Sequence, residues 1–305
     1  MFLLGMVGES LMHEANRGSG IVLVAVSAAS FGVMPVFAQM AYAGGTSTVT
    51  LLFLRFSVGA LCMGLFAALR KLPVPSGRDT LASLLLGAIG YVGQSYCYFT
   101  ALRYASASVV ALLLYTYPMM VMASSVLWFH EVVSRRNIVA LACAILGAVV
   151  ILGAKGHASM EGVVLSLASA VIYTGYILVS ARVVRKGREI SSSAYIMLGA
   201  ALVYGVMNGV SGFSFPHDAS SIGAVLSIAL VSTVLAFWSF FTGMEKIGPS
   251  TAAMVSTVEP VVTVLASVLM LGESLTLRLV GGGVLVLASL VLNATTPSPR
   301  GKDAG

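Results

Sequence analysis

The octapeptide Ala111-Leu-Leu-Leu-Tyr-Thr-Tyr-Pro118 returns further along the chain as Ala253-Met-Val-Ser-Thr-Val-Glu-Pro260. Glu131 and Arg136 follow the first copy, Glu273 and Arg278 follow the second, and 260 − 118, 273 − 131 and 278 − 136 all equal 142. The same shift carries Tyr98-Phe99-Thr100 onto Phe240-Phe241-Thr242, Ser108 onto Ser250, Ser27 onto Ser169 and Gly20 onto Gly162, with no gap. One unit is written twice, and self-similarity at a fixed offset decides the architecture before any single residue does.

The solvent of that unit follows from composition. Of 305 residues, 58% are hydrophobic and only 9% charged, against roughly half and a quarter in soluble domains. Apolar runs fall at about 20–42, 48–69, 81–102, 107–129, 137–153, 161–183, 192–213, 222–244, 250–271 and 277–293, each close to the roughly 20 residues that cross a bilayer core. The expectation is an all-α polytopic membrane protein, ten transmembrane helices as two inverted five-helix repeats around a central cavity. The runs are too long and the loops too short for the alternating pattern of a β-barrel.

Around the spans, residues 1–19 read as a cytoplasmic tail without a basic n-region or cleavage site. The first repeat is expected over 20–155, the second over 160–293, and a disordered cytoplasmic tail over 294–305. Orientation comes from lysine and arginine. Arg17, Arg70, Lys71, Arg78, Arg135, Arg136, Arg182, Arg185, Lys186, Arg188, Lys246, Arg300 and Lys302 fall on one side, and Arg103, Lys155 and Arg278 on the other. Positive charge stays inside, which puts both termini in the cytoplasm. The net charge of +6 therefore speaks of topology and not of a nucleic-acid partner. Five spans per copy is odd, so the second copy enters the membrane upside down. Inverted halves can exchange conformations about an axis in the membrane plane, which is the geometry of alternating access.

Cys62, Cys97 and Cys143 lie inside apolar runs, which disfavours a disulfide framework. His13, His130, His157 and His217 have no partner at metal-ligand spacing, so no metal is expected. No Walker A sequence, H-E-x-x-H or G-x-S-x-G with an embedded histidine occurs; neither ATP-driven transport nor intramembrane enzymology is expected, and no cofactor.

Candidate site residues come from polar or strained positions within spans. Tyr91, Gln94, Ser95 and Tyr98 follow i, i+3, i+4, i+7, so one helical face gathers groups costly against lipid, to be met by a cavity or by another helix. Their equivalents are Thr233, Ala236, Phe237 and Phe240. Tyr115 precedes Pro118 by one turn, and Ser256 and Thr257 stand likewise before Pro260. A proline inside a span frees a backbone carbonyl and kinks the helix, and breaks at matching positions of two repeats point to a substrate site or, more plainly, to packing wedges. Ser27, Phe31 and Met34 share a spacing with Ser169, Tyr173 and Tyr176; Gln39 is a weaker candidate. Glu259 and Arg55 are charges inside spans, functional suspects by default. Glu259 is either a proton carrier or a structural partner of Arg55 or a helix end, and Tyr117 takes its place in the first copy. Glu131 and Glu273 read as helix-end partners of Arg136 and Arg278. Ala140, Ala144 and Ala148 have small-xxx-small spacing, for packing within a monomer or for a homodimer.

These features resemble the EamA-type branch of the drug/metabolite transporter superfamily. The resembling residues are Ala101-Leu-Arg-Tyr followed by Pro118 and Glu131, Glu259-Pro260 followed by Leu271-Gly-Glu273, and Arg55 in Leu54-Arg-Phe56. The resemblance implies a ten-helix basket whose cavity is lined by the first, third, fourth, sixth, eighth and ninth spans, and export of amino acids or other small metabolites from a bacterial cytoplasm. The aromatic residues are similar to those of its YddG-like aromatic amino-acid exporter subgroup. One departure is His130 before Glu131, where the second copy has Gly272. The expected binding residues are Gln94, Tyr98, Tyr91, Tyr115, Tyr173, Phe237, Phe240, Ser256 and Thr257, with Glu259 for proton coupling and Pro118, Pro260 and Arg55 for structure or gating. An uptake permease and a non-transporting membrane sensor are the alternative readings.

Overall fold

The computed structural model describes residues 2–129, 135–152 and 158–294; Glu131, His130, His157, Lys155 and the tail from 295 lie outside them. The described chain is helical throughout, its one β-bridge joining Ala105 to Ala158. The first half contains α1 (Phe2–Gly32), α2 (Met34–Ala43), α3 (Thr48–Leu69), α4 (Gly77–Leu85), α5 (Val92–Ala101), α6 (Ala107–Leu114), α7 (Tyr117–Phe129) and α8 (Arg135–Leu152). The second contains α9 (Met160–Val183), α10 (Glu189–Ser211), α11 (Ala219–Ala229), α12 (Ala236–Ile247), α13 (Pro249–Ser256), α14 (Glu259–Leu271) and α15 (Leu277–Ala294). Leu86–Tyr91 and Leu230–Leu235 are π-helical turns that join α4 to α5 and α11 to α12.

The 142-residue offset is visible in the backbone. Helices α6, α7 and α8 begin and end 142 residues before α13, α14 and α15. Side-chain bonds repeat too. Ser27 Oγ donates to the Ala236 carbonyl at 2.8 Å, and the shifted pair, Ser169 Oγ to the Gln94 carbonyl, is 3.2 Å. A Cβ on Gly20 would stand 2.5 Å from Ile247, and one on Gly162 would stand 2.8 Å from Ala105, the equivalent of Ile247. Those glycines are required by close helix approach.

Equivalent helices pack against each other and run antiparallel. On α3 and α10, Thr50 bonds Asn208 at 2.7 Å, Phe56 stacks on Tyr204, and Gly59 meets Met197, so rising numbers on one meet falling numbers on the other. On α8 and α15, Gly147 meets Gly282 and Val286, while Gly282 also meets Ile151. Two shift-related pairs, each antiparallel, place a pseudo-two-fold axis across the helices. Ala140 and Ala144 are buried against Met119 within the chain.

Seven stretches of the described residues are long and apolar enough to span a membrane: 17–43, 48–69, 107–124, 160–183, 189–211, 219–247 and 251–271. Two more, Ile138–Ile151 and Leu277–Leu292, are apolar but shorter. The stretch through α4 and α5 is helical but is not among the seven, and it is the one carrying Gln94, Ser95 and three tyrosines between Tyr91 and Tyr98. Bulky apolar side chains face outward, Leu269 at 83% and Val210 at 87% exposure, as a lipid-facing surface requires. The interior is closed by Phe56, Phe99, Met197, Leu112 and Leu113. Cys62, Cys97 and Cys143 are free thiols, half-buried.

Candidate functional site

The two proline-bearing segments shape the site. Proline has no N–H to give and its ring crowds the carbonyl four residues earlier. Accordingly α6 stops at Leu114, Tyr115 and Thr116 form a turn, and α7 restarts at Tyr117 with Pro118 in its first turn, where a missing N–H costs nothing. The second copy repeats this: α13 stops at Ser256, Thr257 and Val258 turn, and α14 restarts at Glu259 with Pro260 second. Threonine hydroxyls take up carbonyls of the turns, Thr116 Oγ1 to Leu113 and Thr257 Oγ1 to Met254, both at 2.7 Å. Across the break, a Cβ on Gly32 would lie 2.8 Å from the Glu259 carbonyl, so α1 ends directly against the restart of α14.

A cavity of about 490 Å³ opens between the breaks, within the roughly 300–1,000 Å³ of small-molecule sites. Its walls include Tyr91, Gln94, Tyr98, Tyr115, Tyr173, Phe237, Phe240, Ser256, Thr257, Glu259, Arg55 and Pro118, together with Phe31 and Met34. Pro260 is buried behind the α14 restart and does not line it. Ser95, expected on the same face as Gln94, turns to α10 instead, where its hydroxyl meets that of Tyr204 at 2.9 Å. It sits at the edge of the face, and α10 rather than the cavity covers that edge. Gln94 Nε2 donates to Ser169 Oγ at 3.2 Å, and Gln39 Nε2 ties down the carbonyls of Leu102 and Ala105 at the end of α5.

The walls are unlike. One carries phenol rings, Tyr91, Tyr173, Tyr117 and Tyr115, with Tyr176, which does not line the cavity, linking the first two: Tyr91 to Tyr176 (5.3 Å), Tyr176 to Tyr173 (5.8 Å), Tyr173 to Tyr117 (4.7 Å) and Tyr117 to Tyr115 (6.0 Å). The other is phenyl: Phe31 on Phe237 (5.3 Å), Phe237 on Phe241 (6.1 Å) and Phe241 on Phe240 (5.7 Å). Edge-to-face and offset contacts of this kind hold rings in fixed orientations. The sequence reading did not choose Tyr117, Phe99, Leu114, Val121, Ile177, Phe241, Ala253 or Leu290, which also line the cavity. For Tyr117 a signal existed, because it is the equivalent of Glu259; the others are indistinguishable from core residues by pattern.

Glu259 is half-buried because it borders the cavity. Tyr98, Tyr115, Tyr117 and Tyr173 line the same cavity. The alternative role of Glu259 as the ion-pair partner of Arg55 is not what the geometry shows: no ion pair within 4.0 Å joins them, and Arg55 is held by Thr233, Tyr91 and two phenyl rings. Glu273 has a helix-end role. Its carboxylate accepts from the Ala107 N–H at 2.8 Å and from Ser108 Oγ at 2.6 Å, capping α6 of the other copy.

The model of the EamA-like transporter family matches residues 18–153 and again 160–295. The chain belongs to the EamA-like transporter family. It is 26% identical over 291 residues to an uncharacterized transporter, YcbK, of Bacillus subtilis, covering 90% of this chain and 93% of that one. It is 26% identical over 258 residues to a protein of Salmonella typhimurium named as a probable amino-acid metabolite efflux pump, covering 79% and 83%. A solved crystal structure shares the fold with a TM-score of 0.65 at 20% identity, over 90% of this chain and 96% of that one. This EamA-like chain is thus a multi-pass membrane transporter built from two family repeats, and its relatives are named as transporters rather than enzymes.

Proposed function

We propose that this EamA-like chain is a secondary carrier that exports amino acids, aromatic ones favoured, and related neutral or zwitterionic metabolites across a bacterial inner membrane by alternating access. The observation that carries the reading is the two-faced aromatic cavity at the meeting of two broken, shift-related helices. Phenyl and phenol rings suit a flat apolar side chain, and Gln94, Tyr98, Ser256 and Thr257 supply polar contacts to its other end. Pro118 and Pro260 set the breaks about which the halves move, and Glu259 is the proton-coupling group. The Salmonella relative's name as an amino-acid metabolite efflux pump favours export. The reading takes ten spans with both termini cytoplasmic, the short apolar helices α8 and α15 and the polar α4–α5 stretch making up the number. Eighteen residues of α8 rise roughly 27 Å, close to a hydrocarbon core of about 30 Å. It functions as a monomer or a homodimer with no cofactor.

Uptake of radiolabelled aromatic and aliphatic amino acids into proteoliposomes, with and without a pH gradient, tests this reading. Saturable flux that is strongest for aromatic substrates and reduced in Tyr98→Ala is expected. Absence of saturable flux for every amino acid would overturn the substrate assignment.

A further inference from the structure

Arg55 is 3% exposed on α3, yet lines the cavity. Its Nε donates to Thr233 Oγ1 at 3.1 Å, and its Nη2 reaches the Tyr91 hydroxyl at 3.5 Å. Those two partners belong to the two π-helical turns, one from each copy, and such turns cluster at functional positions. Thr233 spends its own hydroxyl proton on the Ile228 carbonyl at 2.8 Å, which leaves its oxygen lone pair turned to Arg55. The rings of Phe56 and Phe99 stand 5.0 and 5.3 Å from the guanidinium carbon. The guanidinium is thus aimed from four sides.

What it lacks is an anion. Among the described residues no carboxylate lies within 4.0 Å of it, and Nη1 donates to no protein acceptor. A buried cation is costly unless a counter-charge completes it, and aromatic faces compensate only in part. The repeat gives no second copy of this charge: the position 142 residues on is Met197, packed on Gly59. Glu259 is equally single, replaced by Tyr117 in the first copy, and Tyr98 lies within electrostatic reach of both charges. The cavity therefore has one cation and one anion that do not neutralise each other by contact.

We propose that Arg55 is the anchor for the carboxylate of the transported solute, the solute supplying the counter-ion that the fold withholds. The inference rests on the amino-acid reading of the cavity. A guanidinium fork matches a carboxylate bidentately, a geometry that an ammonium cannot reproduce. The assignment makes Arg55 a specificity residue rather than a strut between the π-helical turns.

Equilibrium binding of three compounds with the same ring to purified protein in nanodiscs separates these roles: phenylalanine, phenethylamine without the carboxylate, and 3-phenylpropionate without the ammonium. Arg55→Gln should weaken phenylalanine and 3-phenylpropionate about tenfold or more, as expected for loss of a charged hydrogen bond, and leave phenethylamine nearly unchanged. Arg55→Lys, which keeps the charge and guards against a glutamine variant that does not fold, should show the same selectivity in smaller measure. Equal weakening of all three ligands would make Arg55 a structural strut and overturn the proposal. Phenylalanine binding unaffected by Arg55→Gln would overturn it while leaving the amino-acid reading standing. Failure of the wild-type protein to bind any of the three would overturn that reading, and the anchor with it.

Discussion

Glu259 is a carboxyl inside a span, and the first copy puts a phenol, Tyr117, in its place. The carboxyl borders the cavity and has no ion-pair partner within 4.0 Å among the described residues. Glu259→Gln keeps the volume and removes the proton site, so flux should persist while its response to an imposed pH gradient disappears. Proteoliposome flux at equal and unequal pH measures this, and an unchanged gradient response would remove Glu259 from coupling. The neighbouring positions show how far side-chain roles could be read from sequence. Tyr91, Gln94 and Tyr98 were visible because polar groups at helical spacing stand out in an apolar run. Phe99, Phe241 and Val121 did not, since an apolar residue facing a cavity carries the same letter as one facing a core. The partners of Arg55 were equally hidden, because Thr233 and Tyr91 are 178 and 36 residues away and no local pattern announces them.

Between residue and domain lie the helix ends, bends and crossings. Gly87 in the first π-helical turn and Gly199 on α10 form a reciprocal close crossing: a Cβ on Gly87 would collide with the Ile196 carbonyl, and one on Gly199 with the Leu84 carbonyl. Gly199→Ala must push backbone apart, and a loss of about 1–3 kcal/mol is expected for such overpacking, read as a lowered melting temperature of purified protein. Asp218, just ahead of α11, caps that helix: its carboxylate accepts from the Ser221 N–H at 2.9 Å and stands 2.8 Å from Ser221 Oγ, which also reaches the Met40 carbonyl at the end of α2. These hydrogen bonds from Ser221 hold the Asp218 carboxyl below its ordinary range. A folded-state value depressed in this way gives stability that is present above the unfolded carboxylate value and lost as pH falls through the folded one. Asp218→Asn should therefore melt below the wild type at neutral pH, and the two midpoints should converge in acid. The proline breaks were legible from sequence, since two prolines 142 residues apart inside apolar runs admit few explanations. The π-helical turns were not, because an extra residue in a helical turn leaves hydropathy unchanged.

The whole molecule is an argument from symmetry and from its violation. The constant offset gave the repeat, and α3 packs antiparallel on α10 and α8 on α15, as an odd number of crossings per copy would require. The span count is less directly visible: seven stretches meet the length and hydropathy of a span unaided. The polar α4–α5 stretch falls short in composition, and α8 and α15 in length. The copies differ in the cavity, where phenols cluster with phenols and phenyls with phenyls, and where one arginine and one glutamate have no counterpart at the shifted position. Pro118→Ala and Pro260→Ala should each allow a straighter helix, slowing flux several-fold while ligand affinity changes little, because the breaks serve motion more than contact. Paired flux and binding measurements on each variant check this. The central claim, alternating access to aromatic amino acids, is tested most directly by counterflow in proteoliposomes: vesicles loaded with unlabelled phenylalanine and diluted into labelled phenylalanine should accumulate label transiently above the external level, as a carrier exchanging one site between two sides must. Label that only equilibrates, at a rate linear in concentration and indifferent to internal phenylalanine, would contradict the account.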